Sequence, residues 1–321
     1  MIQIALDIMG GDNAPYSNID GAIQFLNDYK DVKLYLVGDK SVIESEFVKK
    51  TNFTPNNYEI ISTSEIVLPN DKPSKIIKNK PNSSMNKAIC LLKNNDVGAV
   101  ISSGNTGCLV SSAFFNLGTI NNIKRPALFA LIPSKNGDFL ICDVGANTSP
   151  KPEQLFQYAE MATVYTQYVQ GIKNPKLALL NIGSESNKGT DLIKSSFNLL
   201  SDNLENFIGN IESRYIFDGK ADIIICDGFT GNITLKLIEG MMTYNYQLIA
   251  DKLRLKDDNK INELKSIYDY EQVGATPILG INGLVLKSHG SSTGKSIYNA
   301  LKSAKKLIEI NLISRFWWTQ T

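Results

Sequence analysis

The chain holds a single histidine, His289, among its 321 residues. One imidazole leaves little room for a Ser–His–Asp constellation and none for a histidine-rich metal set. Cysteine is scarce as well. Cys90, Cys108, Cys142 and Cys226 stand far apart, with no CxxC pair, which excludes the usual zinc frameworks and a disulfide scaffold. Each lies in an apolar stretch, which predicts reduced thiols in the core of a cytosolic protein. Neither sign of charge is in excess. With 33 basic and 32 acidic residues the formal charge is +1, so no global field draws in nucleic acid or an anionic membrane. No apolar run approaches the roughly 20 residues of a membrane span. Residues 1–7 lack the basic and long apolar regions of a signal peptide. No GxSxG elbow is present and no GxGxxG follows a strand, which disfavours a hydrolase nucleophile and a classical dinucleotide site.

What the chain does have is an alternation of β-rich runs and helical stripes. Strands are predicted at 2–6, 33–37, 59–62, 98–102, 127–132, 139–142, 177–182, 223–226 and 283–286. Several are continuously apolar, as strands covered on both faces are. Between them Ile19, Ala22, Ile23 and Leu26 form one helical stripe, and Ile297, Ala300, Leu301 and Ala304 another. Ser17 with Asp20, and Ser41 with Glu44, read as capping boxes. The alternation predicts an α/β fold with a doubly wound, mostly parallel sheet, carried by one domain over 1–321. Residues 233 to about 270 differ, being helical in pattern with a charged break at 252–260. They read as a helical hairpin projecting from the body, suited to a dimer contact, with packing on its own body equally allowed by the pattern.

Ligands of open α/β sheets bind outside the carboxyl ends of the strands. Asp7, Gly10, Gly11 and Asp12 follow the first strand, and Ser103, Gly104, Asn105, Thr106 and Gly107 follow the strand at 98–102. Asp143, Gly145 and Asn147 come after 139–142, and Gly183, Glu185 and Lys188 after 177–182. Asp227, Gly231 and Asn232 come after 223–226, and Lys287, Ser288, His289 and Gly290 after 283–286. Turn chemistry accounts for any one of these loops. Six on one predicted edge, with Asn105, Asn147 and Asn232 recurring, point to an oxyanion or phosphate site. Glycine lets backbone N–H groups approach a ligand, and the helix start behind each loop favours an anion. Lys188 and Lys287 add positive charge. Asp7, Asp12, Asp143 and Asp227 suit helix capping and loop hydrogen bonding better than a divalent cation. Residues 290–296 come near a Walker A loop but place three residues between the glycines where the motif has four. A nucleotide-binding regulator is therefore the weaker alternative.

Taken in order, these loops resemble the phosphate acyltransferase family (PlsX) of bacterial phospholipid synthesis. The matching stretches begin with Leu6-Asp7-Ile8-Met9-Gly10-Gly11-Asp12 and Ala14-Pro15, then Lys72-Pro73-Ser74 and Ser83-Ser84-Met85. They continue with residues 103–107, Arg125-Pro126-Ala127, residues 143–147, Asn181-Ile182-Gly183 with Glu185 and Lys188-Gly189, residues 226–232 and residues 287–291. The resemblance implies a homodimeric cytosolic enzyme whose fold is similar to isocitrate and isopropylmalate dehydrogenases and to phosphotransacetylases. It implies that acyl-[acyl carrier protein] and inorganic phosphate give acyl phosphate and free carrier protein. No nucleotide, metal or flavin cofactor is implied, and no nucleic-acid partner. The product would pass to a glycerol-3-phosphate acyltransferase in the membrane.

Phosphate is itself a competent nucleophile, so such an enzyme holds an anion beside a thioester and stabilises the oxyanion that develops. On the resemblance, Lys188, Asp227, Asn232 and His289 carry catalysis. Lys188 neutralises phosphate or the departing thiolate, Asn232 or His289 donates to the thioester oxygen, and Asp227 orients Lys or His or takes a proton. Asp7, Gly10, Gly11, Asp12, Ser103, Gly104, Asn105, Thr106, Gly107, Asn147, Gly231 and Lys287 bind substrate or phosphate. The sequence departs from the family pattern at Asn13, at Thr148-Ser149-Pro150, and in an arm that is short with a charged tip at 254–260. Membrane contact is therefore expected to be peripheral at most, with Phe316, Trp317 and Trp318 beside Arg315 as an alternative contact. Carrier proteins are acidic, which makes Lys72, Lys75, Lys78 and Lys80 one candidate docking patch and Lys252, Arg254 and Lys256 another. A phosphotransacetylase-like enzyme using acyl-coenzyme A is the second enzymatic reading.

Overall fold

The computed structural model describes residues 1–50, 56–120, 122–253 and 270–317. The chain divides into two compact units, one formed by residues 1–122 with 270–317 and the other lying within residues 123–269. The sequence reading expected one domain with one sheet. Each unit instead carries its own sheet. Strand patterning does not say which sheet a strand joins, and the crossing at Asn122–Ile123 has no Gly/Pro/Ser-rich linker to mark it.

The first unit contains β1 (Ile2–Asp7), β2 (Val32–Gly38), β3 (Tyr58–Ser62) and β4 (Ala99–Ser102). The second contains β5 (Phe129–Ser134), β6 (Gly137–Cys142), β7 (Leu177–Asn181), β8 (Phe207–Glu212) and β9 (Ile223–Ile225). The chain then returns to the first unit with β10 (Ala275–Pro277) and β11 (Val285–Ser288). The first sheet runs β10-β11-β4-β1-β2-β3, parallel except for β10. Ile4 stands opposite Leu34 and Ala99, and Leu6 opposite Leu36 and Ile101. All six side chains are essentially inaccessible, which explains why these strands read as unbroken apolar runs. The second sheet runs β5-β6-β9-β7-β8, parallel except for the β5/β6 hairpin.

The helices of the first unit are α1 (Tyr16–Asp28), α2 (Lys40–Lys50), α3 (Ile76–Asn79), α4 (Ser84–Lys93) and α5 (Thr106–Leu117). The second unit holds α6 (Pro152–Tyr165), α7 (Asp191–Asn203) and α8 (Gly228–Leu253). The first unit is completed by α9 (Tyr270–Val273), α10 (Gly294–Glu309) and α11 (Leu312–Trp317). The stripes read for α1 and α10 are buried, and the two helices meet at Gly21. A Cβ there would stand 2.6 Å from both the Gly294 carbonyl oxygen and Ile297 Cβ. Only glycine permits that approach.

Several local expectations change. Ser17 is not a cap, since α1 starts at Tyr16 after the cis Ala14–Pro15 bond and has no side-chain cap. Ser41 is displaced by Asp39, whose Oδ1 accepts from the N–H groups of Ser41 and Val42 at 2.9 and 3.2 Å. β8 and β10 escaped prediction. The first carries Gly209 and Asn210 in its middle, and the second is three residues long with a proline. Cys90 is exposed, while Cys108, Cys142 and Cys226 are buried, and all four are free thiols. Phe316 is buried rather than presented at the surface, and Trp318 lies outside the described residues. The expected arm begins earlier than predicted, at Gly228, and runs as one helix to Leu253. Its tip at 254–260 and the return toward 269 lie outside the described residues, as do Arg254 and Lys256 of the second basic patch. No described helix is long and apolar enough to cross a membrane.

Candidate active site

The six glycine-bearing loops fall three to a unit. In the first, the loops after β1, β4 and β11 emerge from adjacent parallel strands at one sheet edge. The loop after β1 is fixed by Asn18 of α1, a buried residue whose Nδ2 donates to the carbonyls of Ile8 (2.8 Å), Gly10 (2.9 Å) and Asp7 (3.3 Å). Asp7 is buried. Its carboxylate accepts from Ser102 Oγ at 2.6 Å and from Met9 N–H at 3.2 Å. Burial pushes its pKa above the usual carboxylate value, against the hydrogen bonds from Ser102, Ser84, Met9 and Gly10 that pull it down.

Gly10 lets the loops after β1 and β4 touch, because a Cβ there would stand 2.6 Å from Asp7 Oδ2 and 2.8 Å from Gly104 N. Gly11 adopts φ +109° and would place a Cβ 2.9 Å from Ser103 Cβ. Asp12 N–H donates to the Gly290 carbonyl at 2.7 Å, which ties the loop of His289 to the same group. Ser103 is buried, and its hydroxyl has no hydrogen-bond partner. Lys287, at the end of β11, is partly exposed. Its ammonium donates to the carbonyls of Ser288 and, at 3.4 Å, of Ser103. Burial lowers its pKa to about 8, although Asp12 and Asp7 act to raise it.

Asn105 is the N-cap of α5. Its Oδ1 accepts from Cys108 N–H at 3.0 Å and its Nδ2 donates to the Pro69 carbonyl at 2.6 Å. The amide side chain thus holds the chain, and Thr106 and Gly107 open the helix behind it. His289 is exposed. Its Nδ1 receives the Ser291 N–H at 3.3 Å and lies 2.8 Å from Ser291 Oγ. The Walker-like stretch opens α10 behind a Thr293–Ser296 capping box, and a Cβ on Gly294 would stand 2.9 Å from Asp20 Cβ. That helix start is closed by its own cap and by α1, not arranged as a phosphate-wrapping loop.

In the second unit the loops after β6, β9 and β7 share an edge in that order. Asp143 is its hub. Oδ1 accepts from Leu128, Gly145 and Ala146 N–H at 3.0–3.1 Å, and Oδ2 from Asn147 N–H at 2.7 Å. Burial nonetheless raises its pKa, outweighing those bonds. Asn147 Nδ2 donates to the Pro126 carbonyl at 2.7 Å, and its own carbonyl receives Gly228 N–H at 2.8 Å. Asn232 Nδ2 donates to the Val144 carbonyl at 3.0 Å.

Asp227 caps α8. Oδ1 accepts from Phe229 and Thr230 N–H at 3.0 and 2.9 Å, and Oδ2 from Thr230 Oγ1 at 2.6 Å. Gly231 rests directly on Asp143, whose carbonyl oxygen stands closer to the position of a Cβ than any Cβ can approach. Lys188 is exposed in the loop after β7, with its carbonyl held by Asn181 Nδ2 at 3.1 Å. The structure therefore gathers Asp7, Gly10, Gly11, Asp12, Ser103, Gly104, Lys287 and His289 in one unit. It gathers Asn147, Asp227, Gly231 and Asn232 in the other, with Lys188 one loop away. Sequence reading missed Asn18, which gives only the signal of a polar residue inside an apolar helix stripe, and undervalued Asp143 as a hub.

Both edges are thus lined with backbone amides, capped helix starts and a few cations on an α/β frame. Two solved structures share that frame. A phosphotransacetylase from Streptococcus pyogenes matches with a TM-score of 0.65 at 17% identity, covering 96% of this chain and 94% of that one. The EutD phosphotransacetylase from Staphylococcus aureus matches at 0.61 and 15%, covering 98% and 94%. The class is therefore an α/β protein of the phosphotransacetylase fold. Residues 2–315 match a family model described as "Fatty acid synthesis protein". The phosphate acyltransferase of Halothermothrix orenii is 41% identical over 323 residues, 97% of this chain and 96% of that protein. That of Clostridioides difficile is 44% identical over 317 residues, covering 95% and 92%. The chain belongs to this family, that of the phosphate acyltransferases, and is an enzyme of the acyltransferase class.

Proposed function

We propose that the enzyme transfers the acyl group of acyl-[acyl carrier protein] to inorganic phosphate. A phosphate oxygen attacks the thioester carbonyl carbon, and the C–S bond breaks with its electron pair going to sulfur. The thiolate then takes up a proton. The observation that carries this reading is Lys287. It is a partly buried cation between Ser103 and the glycine-rich loop after β1, at the strand edge from which α5 starts. The arrangement suits a dianion, and the one hydroxyl beside it, that of Ser103, has no hydrogen-bonded base to activate it.

The residue roles follow from what each side chain has left to give. The N–H groups of Thr106 and Gly107 and the Lys287 ammonium hold phosphate. Asn232 has one amide N–H on Val144 and its second for the thioester oxygen, with His289 as the alternative donor. Lys188, exposed, neutralises the departing thiolate. Asp227 and Asn147 position their loops and touch no reacting atom. The product is a mixed anhydride activated for acyl transfer, which suits a further acyltransferase, and glycerol-3-phosphate is the acceptor we assign. The free thiols fit a cytosolic location.

A homodimer is part of the same reading. Over residues 228–252 of α8 only Gly228, Gly231 and Ala250 are buried. Phe229, Ile233, Leu237, Met241, Tyr244 and Leu248 form an exposed apolar stripe along it. Such a helix requires a cover, and a second copy supplies one.

The test is release of carrier-protein thiol from palmitoyl-acyl carrier protein with and without phosphate, with hydroxylamine trapping the product. Phosphate-dependent release with a hydroxamate product supports the proposal. Release without phosphate overturns it. Release only from palmitoyl-coenzyme A favours the second reading, a coenzyme A-dependent transacylase, which the shared fold makes the natural rival.

A further inference from the structure

The overall charge of +1 hides a strong local imbalance. Between Glu65 and Asp96 the chain carries six lysines (72, 75, 78, 80, 87 and 93) and a single acid, Asp71. The structure cancels that acid internally. Lys80 pairs with Asp71 at 2.5 Å and donates to the Ile66 carbonyl at 2.8 Å. Asp71 also accepts Leu68 N–H at 2.7 Å. Lys80, one of the four lysines first read as a patch, is therefore a structural clamp. Lys72, Lys75 and Lys78 remain exposed around the turn Pro73–Lys75 and α3. Among the described residues no carboxylate lies within ion-pair distance of any of the three.

The strap bearing these lysines is anchored at the candidate site. Asn105 donates to the Pro69 carbonyl at 2.6 Å, and Cys108 Sγ contacts the Asp71 carbonyl at 3.5 Å. Gly107 is the residue that lets the strap lie there, since a Cβ would stand 2.7 Å from Pro73 Cγ. Ile76 is buried beneath it. Thr63 Oγ1 donates to the Asn82 carbonyl at 2.5 Å and Asn82 N–H to Glu65 Oε2 at 2.8 Å, closing the base. The result is a fixed, unpaired positive face mounted on the loop that opens α5.

We infer that this strap, through Lys72, Lys75 and Lys78, is the docking surface for the acidic carrier protein that delivers the acyl thioester. The inference rests on the reaction proposed above. A face of one sign attached to a rigid element steers an oppositely charged partner and raises its rate of encounter. A membrane surface is the less suitable occupant. α3 is four residues long and turns its Ile76 inward, so the strap has no amphipathic helix to insert.

The test compares the wild-type enzyme with Lys72→Glu/Lys75→Glu/Lys78→Glu, and with Lys173→Glu as a charge-reversal control outside the strap. Two substrates are used, palmitoyl-acyl carrier protein and the uncharged thioester octanoyl-N-acetylcysteamine. At low ionic strength the triple variant is expected to lose at least about tenfold in kcat/KM with the carrier-bound substrate, carried by KM, and the gap narrows as salt is added. With the uncharged thioester it matches the wild type, and Lys173→Glu is unaffected with both. Equal losses with both substrates would show that the strap supports the catalytic loop instead, and unchanged carrier kinetics would show no docking role. Lost binding to anionic phospholipid vesicles with unchanged carrier kinetics would assign the face to a membrane. Absence of phosphate-dependent turnover in the wild type with either substrate is a different result, which removes the proposed reaction and not the surface alone.

Discussion

Replacing Lys287 by methionine separates what this residue does for folding from what it does for phosphate. Burial holds its pKa at about 8, down from 10.5. That difference corresponds to about 3 kcal/mol against the folded, charged state, trimmed toward about 2 kcal/mol because the side chain keeps some solvent contact. Below pH 8 both folded and unfolded chains hold the proton and the full penalty is present. Between pH 8 and 10.5 the unfolded chain binds more protons than the folded one, so stability rises with pH. Methionine preserves the bulk and removes the titration. It also removes the hydrogen bonds to the Ser103 and Ser288 carbonyls, at about 1 kcal/mol each. At pH 7 the two effects nearly cancel. The pH dependence does not cancel. Urea unfolding at pH 7 and pH 10 should show the wild type gaining about 1–2 kcal/mol on Lys287→Met over that interval. Over the same comparison the phosphate KM of the variant rises at least about tenfold, the value of a lost charge-assisted hydrogen bond. Parallel stability profiles would refute the buried-cation argument, and an unchanged phosphate KM would refute its role as the anion's partner.

The remaining predictions follow from the loops. Gly231→Ala forces a methyl onto the Asp143 carbonyl and within 2.8 Å of Cys226 Sγ, so thermal unfolding should register a loss of at least about 1–3 kcal/mol. A full-stability variant would mean α8 sits farther from β6. Asp143 has a raised folded pKa, so stability falls as pH rises from the ordinary carboxylate value of 3.8 toward the raised folded one and levels off above it. Comparing urea midpoints of wild type and Asp143→Asn from pH 4 to 7, the variant should lack this fall, while at pH 4 it should be weaker by about 1–3 kcal/mol because its amide faces Asn147 N–H. Asn105→Ser keeps an oxygen for the α5 cap and gives up the donor to Pro69, so differential scanning fluorimetry should show near-native stability and kinetics an unchanged phosphate KM. A large rise in that KM would return Asn105 to direct phosphate contact.

Nine of the strands were legible, several of them, such as β4 and β9, because covered parallel strands are apolar without interruption. β8 and β10 were not, since an edge strand with Gly209 and Asn210, or three residues ending in Pro277, has no period to read. The division into two sheets was hidden for a different reason. It depends on which strands pair, a long-range property that local composition does not encode. At the site, residue types were legible and residue roles were not. Asn105 and Asp227 stand at helix starts, where the same side chains serve equally as caps or as ligand contacts, and only their hydrogen-bond partners decide between the two.

Those partners change the account of where the chemistry resides. Asn105, Asn147 and Asp227 are engaged with the chain's own N–H and carbonyl groups, and Asp143 gathers four backbone donors at one buried carboxylate. Side chains committed in this way cannot also swing to a substrate, but they fix backbone dipoles that need no reorganisation when charge develops in a transition state. The glycines serve the same end. Gly10 and Gly231 bring one loop against another at distances a Cβ forbids, so the loops are stacked and not merely adjacent. The few groups with spare hydrogen-bonding capacity then stand out against this scaffold: the third ammonium N–H of Lys287 and the Ser103 hydroxyl on one sheet edge, Lys188 and the second amide N–H of Asn232 on the other. An enzyme that activates no nucleophile of its own needs little more than this, since its substrate phosphate already supplies the attacking oxygen.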